Sequence, residues 1–314
     1  MPKPVVMQVC NISHWVSQLN MFMHLNASPK KPSRIILLGG NGFIGQNIAS
    51  ILEKDGVDFL SLSSKDIDLS APDSVPKLAD LLRTTDTVVF LSAITPDKGR
   101  DTDVFIKNLQ MMKHFCGALK NKPVSHVIYF SSDAVYGIKQ SNVSEGSPVA
   151  PADLYGVMHL SRELMLSEMK SIPHIILRVT MVYGAEDTHA SYGPNRFFKT
   201  ALLNKKIDLF GGGEELRDHV HVKDVAALTK LCAFMKTVGL LNIATGRSTS
   251  FKELARLVAN QFETKTDICE TPRANSITYR HYDTTNIVKA FPTFSLTKIE
   301  DGIESYQQGS NFSG

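Results

Sequence analysis

Short apolar runs and longer amphipathic stretches alternate along most of this chain, beginning at Arg34. In Arg34-Ile35-Ile36-Leu37-Leu38 no polar position follows the first residue. It therefore reads as a strand buried on both faces rather than a half-exposed one. Hydrophobic positions then recur at helical spacing over 42–54, and the beat repeats: strand 58–62, helix 73–83, strand 87–91, helix 103–119, strand 124–130, helix 152–169, strand 174–179. Strands separated by helices long enough to cross back over a sheet predict an α/β fold, a parallel sheet with helices on both faces. Beyond Gly184 the alternation loosens and segments rich in Gly, Asn and Arg appear. Residues 185–314 are accordingly assigned mainly to a smaller substrate-binding part, some of whose segments return to the core.

Residues 1–33 stand outside this rhythm. They carry the single tryptophan, Trp15, the methionines Met21 and Met23, and a basic link, Pro29-Lys30-Lys31-Pro32. Asn11, Ser13, His14, Gln18 and Asn20 interrupt the apolar stretch, which argues against a secretory signal. A docked extra helix, a partner-binding arm and a start codon placed too early all fit. The segment is read as a docked or loose extension of unknown role.

Composition narrows the class without changing the picture. Of 314 residues 43% are hydrophobic and 21% charged, with a net charge of +3. This balance gives no electrostatic case for binding nucleic acid or a membrane surface. No apolar run approaches the roughly 18 residues of a membrane span. Cys10, Cys116, Cys232 and Cys269 are scattered without a CxxC pair or metal-ligand spacing, so they read as reduced thiols and the chain as cytoplasmic. In that compartment the sequons at Asn11, Asn142 and Asn311 carry no consequence.

The first strand runs directly into Gly39-Gly40-Asn41-Gly42-Phe43-Ile44-Gly45, which opens the first helix. Glycines at this spacing let the backbone turn tightly, approach a pyrophosphate and pack helix on strand, while the helix N-terminus offers free N–H groups. Strand, glycine turn and helix together predict a doubly wound Rossmann domain over 34–184, binding NAD or NADP through Gly39, Gly42, Phe43, Ile44 and Gly45. NAD binders usually end the second strand on a carboxylate for the ribose hydroxyls. Here that end reads Leu62-Ser63-Ser64-Lys65. The hydroxyls of Ser63 and Ser64 and the cation of Lys65 suit a 2′-phosphate, which favours NADP over NAD. Asp68 and Leu69 lie where an adenine contact is expected.

With these features the chain resembles the extended short-chain dehydrogenase/reductase family, the NAD-dependent epimerases and dehydratases that modify sugar nucleotides. The resemblance runs from about Arg34 to about Gln307. It is carried by the glycine turn, Leu91-Ser92-Ala93, Asn108, the run Phe130-Ser131-Ser132-Asp133-Ala134-Val135-Tyr136-Gly137 and Tyr155-Gly156. Leu177-Arg178, Val182-Tyr183-Gly184, Arg217-Asp218-His219-Val220-His221-Val222 and Leu241-Asn242-Ile243-Ala244-Thr245-Gly246 complete it.

The resemblance implies roles. Leu91, Ser92 and Ala93 would touch the cofactor. Ser132 would hydrogen-bond the substrate oxygen, and Tyr155 would carry its proton as hydride moves. The family helps that phenol with a lysine four residues on, which also holds the nicotinamide ribose. This chain has His159 there, and neutral imidazole favours the phenolate less than a fixed cation does. A retuned catalyst and a protein that keeps the cofactor without turnover both follow from that change. Arg217 and Arg273 match the two arginines that grip the substrate diphosphate, and Asn195 a polar contact. Met181 replaces an asparagine of epimerase relatives.

The dehydratases place a glutamate after the acid next to the catalytic hydroxyl, whereas Asp133 is followed by Ala134. A 4,6-dehydratase is therefore not expected. An epimerase and a ketosugar reductase remain, with a catalytically impaired dinucleotide sensor or regulatory subunit as the alternative. Relatives of this kind commonly form homodimers through a four-helix interface.

Overall fold

Ile35, Ile36, Leu37 and Leu38 are all at most 2% exposed, the two-sided burial that an unbroken apolar run requires. Ile35 and Leu37 face one hydrophobic cluster and Ile36 and Leu38 a second, on opposite sides of the same sheet. The structure, a computed structural model, describes residues 22–185, 187, 193–263, 265–273 and 276–309. Cys10, Asn11, Trp15, Met21 and Asn311 lie outside the described residues.

The chain enters through a short strand, β1 (Met23–His24), and the alternation follows: β2 (Ile35–Leu38), α1 (Phe43–Lys54), β3 (Phe59–Leu62), α2 (Ser74–Leu81), β4 (Thr87–Phe90) and α3 (Thr102–Asn121). Next come β5 (His126–Ser132), a 3₁₀ turn (Asp133–Val135), β6 (Asn142–Val143), α4 (Leu154–Ser167) and β7 (His174–Val179). The later part contains β8 (Met181–Tyr183), α5 (Gly193–Asn204), β9 (Lys206–Phe210), β10 (Leu216–His221), α6 (Val222–Met235) and β11 (Thr237–Ile243). It ends with β12 (Ser248–Ser250), α7 (Phe251–Ala259), β13 (Asp267–Thr271), β14 (His281–Tyr282), α8 (Thr285–Ala290) and α9 (Ile299–Gly309).

Seven strands form the main sheet in the order β1-β11-β7-β5-β4-β2-β3. All pairs are parallel except β1 with β11, so this is the doubly wound Rossmann arrangement that the alternation predicts. Leu38 lies opposite Leu62 on one side and Phe90 on the other. The chain therefore reverses its winding direction at β2, which opens a crevice at the strand ends between Gly39 and Ser92.

The described part of residues 1–33 is docked, because its strand joins the main sheet. Met23 pairs with Val238 and His24 with Thr237. The His24 ring lies 2.9 Å from both Thr237 Oγ1 and the Ala290 carbonyl, and Asn26 donates to the Phe234 carbonyl at 2.7 Å. A strand of two residues has no period to detect, so only its pairing reveals it.

Helix α4 is set against β5 and β7 by a buried ion pair. Arg178 Nη2 lies 2.7 Å from Glu163 Oε2, both side chains are 2% exposed, and Ser131 donates to the same carboxylate. Replacing Glu163 by Leu leaves the guanidinium buried without its partner. The expected cost is about 3–5 kcal/mol in urea unfolding, against well under ~1 kcal/mol for an exposed pair. The smaller part packs around its own cluster, in which Phe198 stacks on Tyr306 with ring centres 4.0 Å apart.

Candidate functional site

Three of the four glycines in the turn are explained by packing. Gly39 has φ +90°, and a side chain there would come within 3.0 Å of Ser92 N. A Cβ on Gly40 would fall 2.0 Å from Ser61 Oγ, and one on Gly45 2.6 Å from the Gly40 backbone. Gly42 differs. It is exposed, and its Cβ would meet only the Gly39 carbonyl, at 3.3 Å.

Gly42 is the N-cap of α1, with no side-chain cap bond and no acidic residue in the first turn. The fold leaves this helix end bare, as a bound anion requires. Phe43 packs against Gly184, and Ile44 joins the cluster beneath. Across the crevice, Leu91 N–H donates to Leu38 at 2.9 Å, and Asn108 brackets Ile94 with bonds of 2.9 and 3.1 Å. Leu91, Ser92 and Ala93 are thereby held beside the glycine turn.

At the end of β3 an acidic residue joins Ser63, Ser64 and Lys65. The Asp66 carboxylate folds back to accept from the Ser63 N–H at 2.8 Å and the Ser63 hydroxyl at 2.7 Å. Those hydrogen bonds hold Asp66 below the usual carboxylate range. The turn read as hydroxyls and a cation therefore carries a carboxylate as well. Ser64 and Lys65 are exposed beside it. Asp68 accepts from Ser70 at 2.9 and 2.6 Å, and the Leu69 carbonyl meets the His114 ring at 2.8 Å.

Ser132 ends β5 and Tyr155 opens α4, whose N-cap Asp153 accepts from Gly156 N–H at 2.8 Å. A side chain on Gly156 would sit 2.3 Å from the Ala134 carbonyl, so glycine lets α4 close onto the 3₁₀ turn. The Tyr155 hydroxyl is thereby brought beside Ser132. Burial pushes the phenol up to about 12; the Ser132 hydroxyl lowers it, Asp133 raises it, Arg162 lowers it and Asp153 raises it.

His159 is 3% exposed and stands edge-on to Tyr155, with ring centres 4.6 Å apart at 84°. Its Nδ1 lies 2.9 Å from the Tyr129 hydroxyl, and its buried Nε2 has no partner among the described residues. Burial, with Arg162 beside it, pushes the imidazole down to about 3. It is neutral at pH 7. The helix nonetheless carries a cation one turn further on: Arg162, at 0% exposure, donates to the Asn108 carbonyl at 2.9 Å and the Ser92 carbonyl at 2.8 Å. Sequence reading missed Arg162. Its signal was an arginine on the same 155, 159, 162 stripe of α4. Beside Tyr155 a pocket is lined by Ile94, Pro96, Arg100, Val104 and Met158.

The residues expected to meet substrate are engaged with the protein. Arg217 donates to the Leu216 carbonyl at 2.8 Å and to Thr278 O at 3.0 Å, and burial and the nearby Arg280 lower its pKa. Arg273 is held by Glu214, Glu215 and the Phe210 carbonyl. The Asn195 amide accepts from Gly184 N–H at 3.2 Å and bonds Tyr306 and Asp187, a link between α5 and α9. The cation beside Arg217 is thus Arg280. It donates to Asp133 Oδ2 at 3.1 Å and to the Gly137 carbonyl at 2.9 Å. Tyr282 donates to the same carboxylate at 2.6 Å. Met181, in β8, pairs with His219 of β10. Among the described residues no group of His, Cys, Asp or Glu is arranged to hold a metal, and no helix is long and apolar enough to cross a membrane.

The model of the NAD dependent epimerase/dehydratase family matches residues 35–244. The Bacillus subtilis protein named uncharacterized UDP-glucose epimerase YtcB is 27% identical over 256 residues, covering 72% of this chain and 81% of that one. UDP-glucose 4-epimerase of Thermus thermophilus, solved in complex with NAD, superposes with a TM-score of 0.77 at 20% identity, over 88% of this chain and 99% of its own. UDP-N-acetylglucosamine 4-epimerase of Methanobrevibacter ruminantium, solved with UDP-N-acetylmuramic acid, gives a TM-score of 0.74 at 21% identity, over 88% and 99%.

Proposed function

The chain belongs to the NAD dependent epimerase/dehydratase family, and on that footing we propose that it is an NAD-dependent epimerase of nucleoside-diphosphate sugars. The observation that carries this reading is the Ser132–Tyr155 pair at the strand ends, on the same crevice as the bare helix end at Gly42. The orphaned His159 Nε2 and the space at Gly42 both fit a dinucleotide. Its pyrophosphate would rest on Gly42, Phe43 and Ile44, and its ribose near Ser63 and Asp66. NAD is chosen over NADP because the Asp66 carboxylate would repel a 2′-phosphate. A bound dinucleotide would supply the hydride acceptor and donor for one sugar carbon.

The chain's own residues manage the oxygen and its proton. Ser132 donates a hydrogen bond to the reacting sugar oxygen. Tyr155 takes the hydroxyl proton as the carbon is oxidised and gives it back on reduction, which needs a phenol in hydrogen-bond reach of that oxygen. Ala134 offers no carboxylate to remove a proton beside the ketone, which speaks against a dehydratase. The UDP-glucose epimerase names of relatives favour epimerase over reductase. Arg217 and Arg280 together outnumber Asp133 in charge and suit a diphosphate.

A second reading, a dinucleotide-binding regulatory protein without turnover, draws on the neutral His159. Denaturing the purified protein, identifying any released nucleotide and assaying UDP-, dTDP- and GDP-sugars separates the two. NAD release with interconversion of one sugar nucleotide is expected. Tightly held NAD without turnover on any member supports the regulator, and no dinucleotide at all overturns both.

Arg217→Ala and Arg280→Ala should each weaken nucleoside-diphosphate binding by about ten- to a hundredfold in calorimetry, roughly 1.5–3 kcal/mol, with NAD affinity unchanged. Arg273 reaches a diphosphate only by leaving Glu214 and Glu215, so a smaller loss is expected of Arg273→Ala.

A further inference from the structure

Arg162 is a fully buried guanidinium with no carboxylate partner among the described residues. Its acceptors are the carbonyls of Asn108 and Ser92, the Asn108 side chain and, more weakly, Met111 Sδ, while its plane lies 5.4 Å from the Phe90 ring centre. The adjacent Glu163 is spent on Arg178 and Ser131. Burying a charge without a counter-ion is costly, and the cost is reduced when a negative charge forms nearby. Tyr155 and Tyr129 are the groups that favour the Arg162 charge.

Resting on the reading of Tyr155 as proton carrier, we infer that Arg162 is a positioning residue that divides with His159 the work of one lysine: Arg162 supplies the charge that favours the Tyr155 phenolate, and His159 supplies a neutral N–H donor. Tyr129 links the two. Among the described residues its hydroxyl has one hydrogen-bond partner, His159 Nδ1, and a phenolic proton turned elsewhere would be buried without an acceptor. The Tyr129 proton then goes to His159 Nδ1, 2.9 Å away. That places the imidazole proton on Nε2, the nitrogen the chain leaves unpaired.

The groups facing Tyr155 come from every element around it. Ser132 and Tyr129 come from β5, Asp133 from the 3₁₀ turn, and Asp153, His159 and Arg162 from α4. Arg100 and Asp101 line the pocket on the far side. Asp133 is already paired with Arg280, and Asp101 and Asp153 are engaged as helix caps. Arg162 is the cation among the main influences on the Tyr155 oxygen.

The test puts a ring-fluorinated tyrosine at position 155 of the whole chain and follows its fluorine resonance through pH, without substrate or cofactor. The ionisation midpoint should hold in Arg162→Lys and rise by about one unit in Arg162→Gln, which keeps donors for Asn108 and Ser92 but not the charge. Turnover of Arg162→Gln should fall about tenfold at neutral pH, and the more acidic fluorinated phenol should restore part of it. A midpoint unchanged in folded Arg162→Gln overturns the charge role. If that variant does not fold, nitrogen resonances of His159 in Tyr129→Phe decide. The parent should show the Nε2-protonated form and the variant a mixture, and identical spectra overturn the link. The midpoints and spectra are read without catalysis, so absence of turnover on every sugar nucleotide tells against the proposed function alone.

Discussion

Tyr155→Phe should lower turnover by roughly 10²–10⁴-fold, the range for losing a positioned proton carrier, with NAD affinity and unfolding midpoint nearly unchanged. The ring remains edge-on to His159, so its packing survives. What disappears is the hydroxyl beside Ser132. In the parent, turnover should climb with pH across the neutral range. The phenol is pushed up to about 12, and below that value its phenolate fraction grows about tenfold per pH unit. Steady-state assays of both proteins from pH 6 to 9, alongside urea melts, provide the check. Activity that persists in Tyr155→Phe would remove Tyr155 from the reaction.

Gly42→Asp should separate folding from binding. The position is an N-cap with φ −76° and ψ 167°, extended backbone that Asp adopts readily, and nothing but the Gly39 carbonyl stands within reach of a new Cβ. Asp is among the best N-caps, so the helix should be unchanged or a few tenths of a kcal/mol more stable. A carboxylate there occupies the anion's place. Two unit charges about 4 Å apart near a protein surface repel by roughly 4 kcal/mol, close to a thousandfold in affinity. Calorimetry with NAD and a thermal melt of the same sample test both halves. Gly45→Ala is the contrast, because its methyl would press on the Gly40 backbone and the fold itself should suffer. Equal NAD affinity in parent and Gly42→Asp would sink the assignment of the glycine turn.

His159 shows how far the chemistry of a position depends on its neighbours. From its reference acidity an imidazole there is a weak version of a lysine, which suggests that His159→Lys would help. In the fold His159 is buried, bonded to Tyr129 and close to Arg162. A lysine would set a second buried cation beside the first, so a gain in turnover is not expected.

The alternation of apolar runs and helical stretches determined the sheet, the helices on both of its faces and the crevice at Gly39. Those features arise from periods of two and 3.6 residues and from a turn whose parts adjoin in sequence. Ser132 and Tyr155 were expected from the family resemblance, and the fold sets one at the end of a strand and the other in the first turn of a helix. Tertiary structure decided the rest. Asp66 was three residues past a turn that looked free of acid until its side chain folded back. Arg280 stands 147 residues from Asp133, and no local pattern distinguishes it from Arg273, which the fold gives instead to two glutamates. The strand at Met23–His24 exists only because Thr237 and Val238 offer an open sheet edge 213 residues later. Arg162 is a charge that sequence statistics would place in water. The closing of α4 onto β4 and β5 put it under Tyr129 and beside Ser92, where burial makes one positive charge matter.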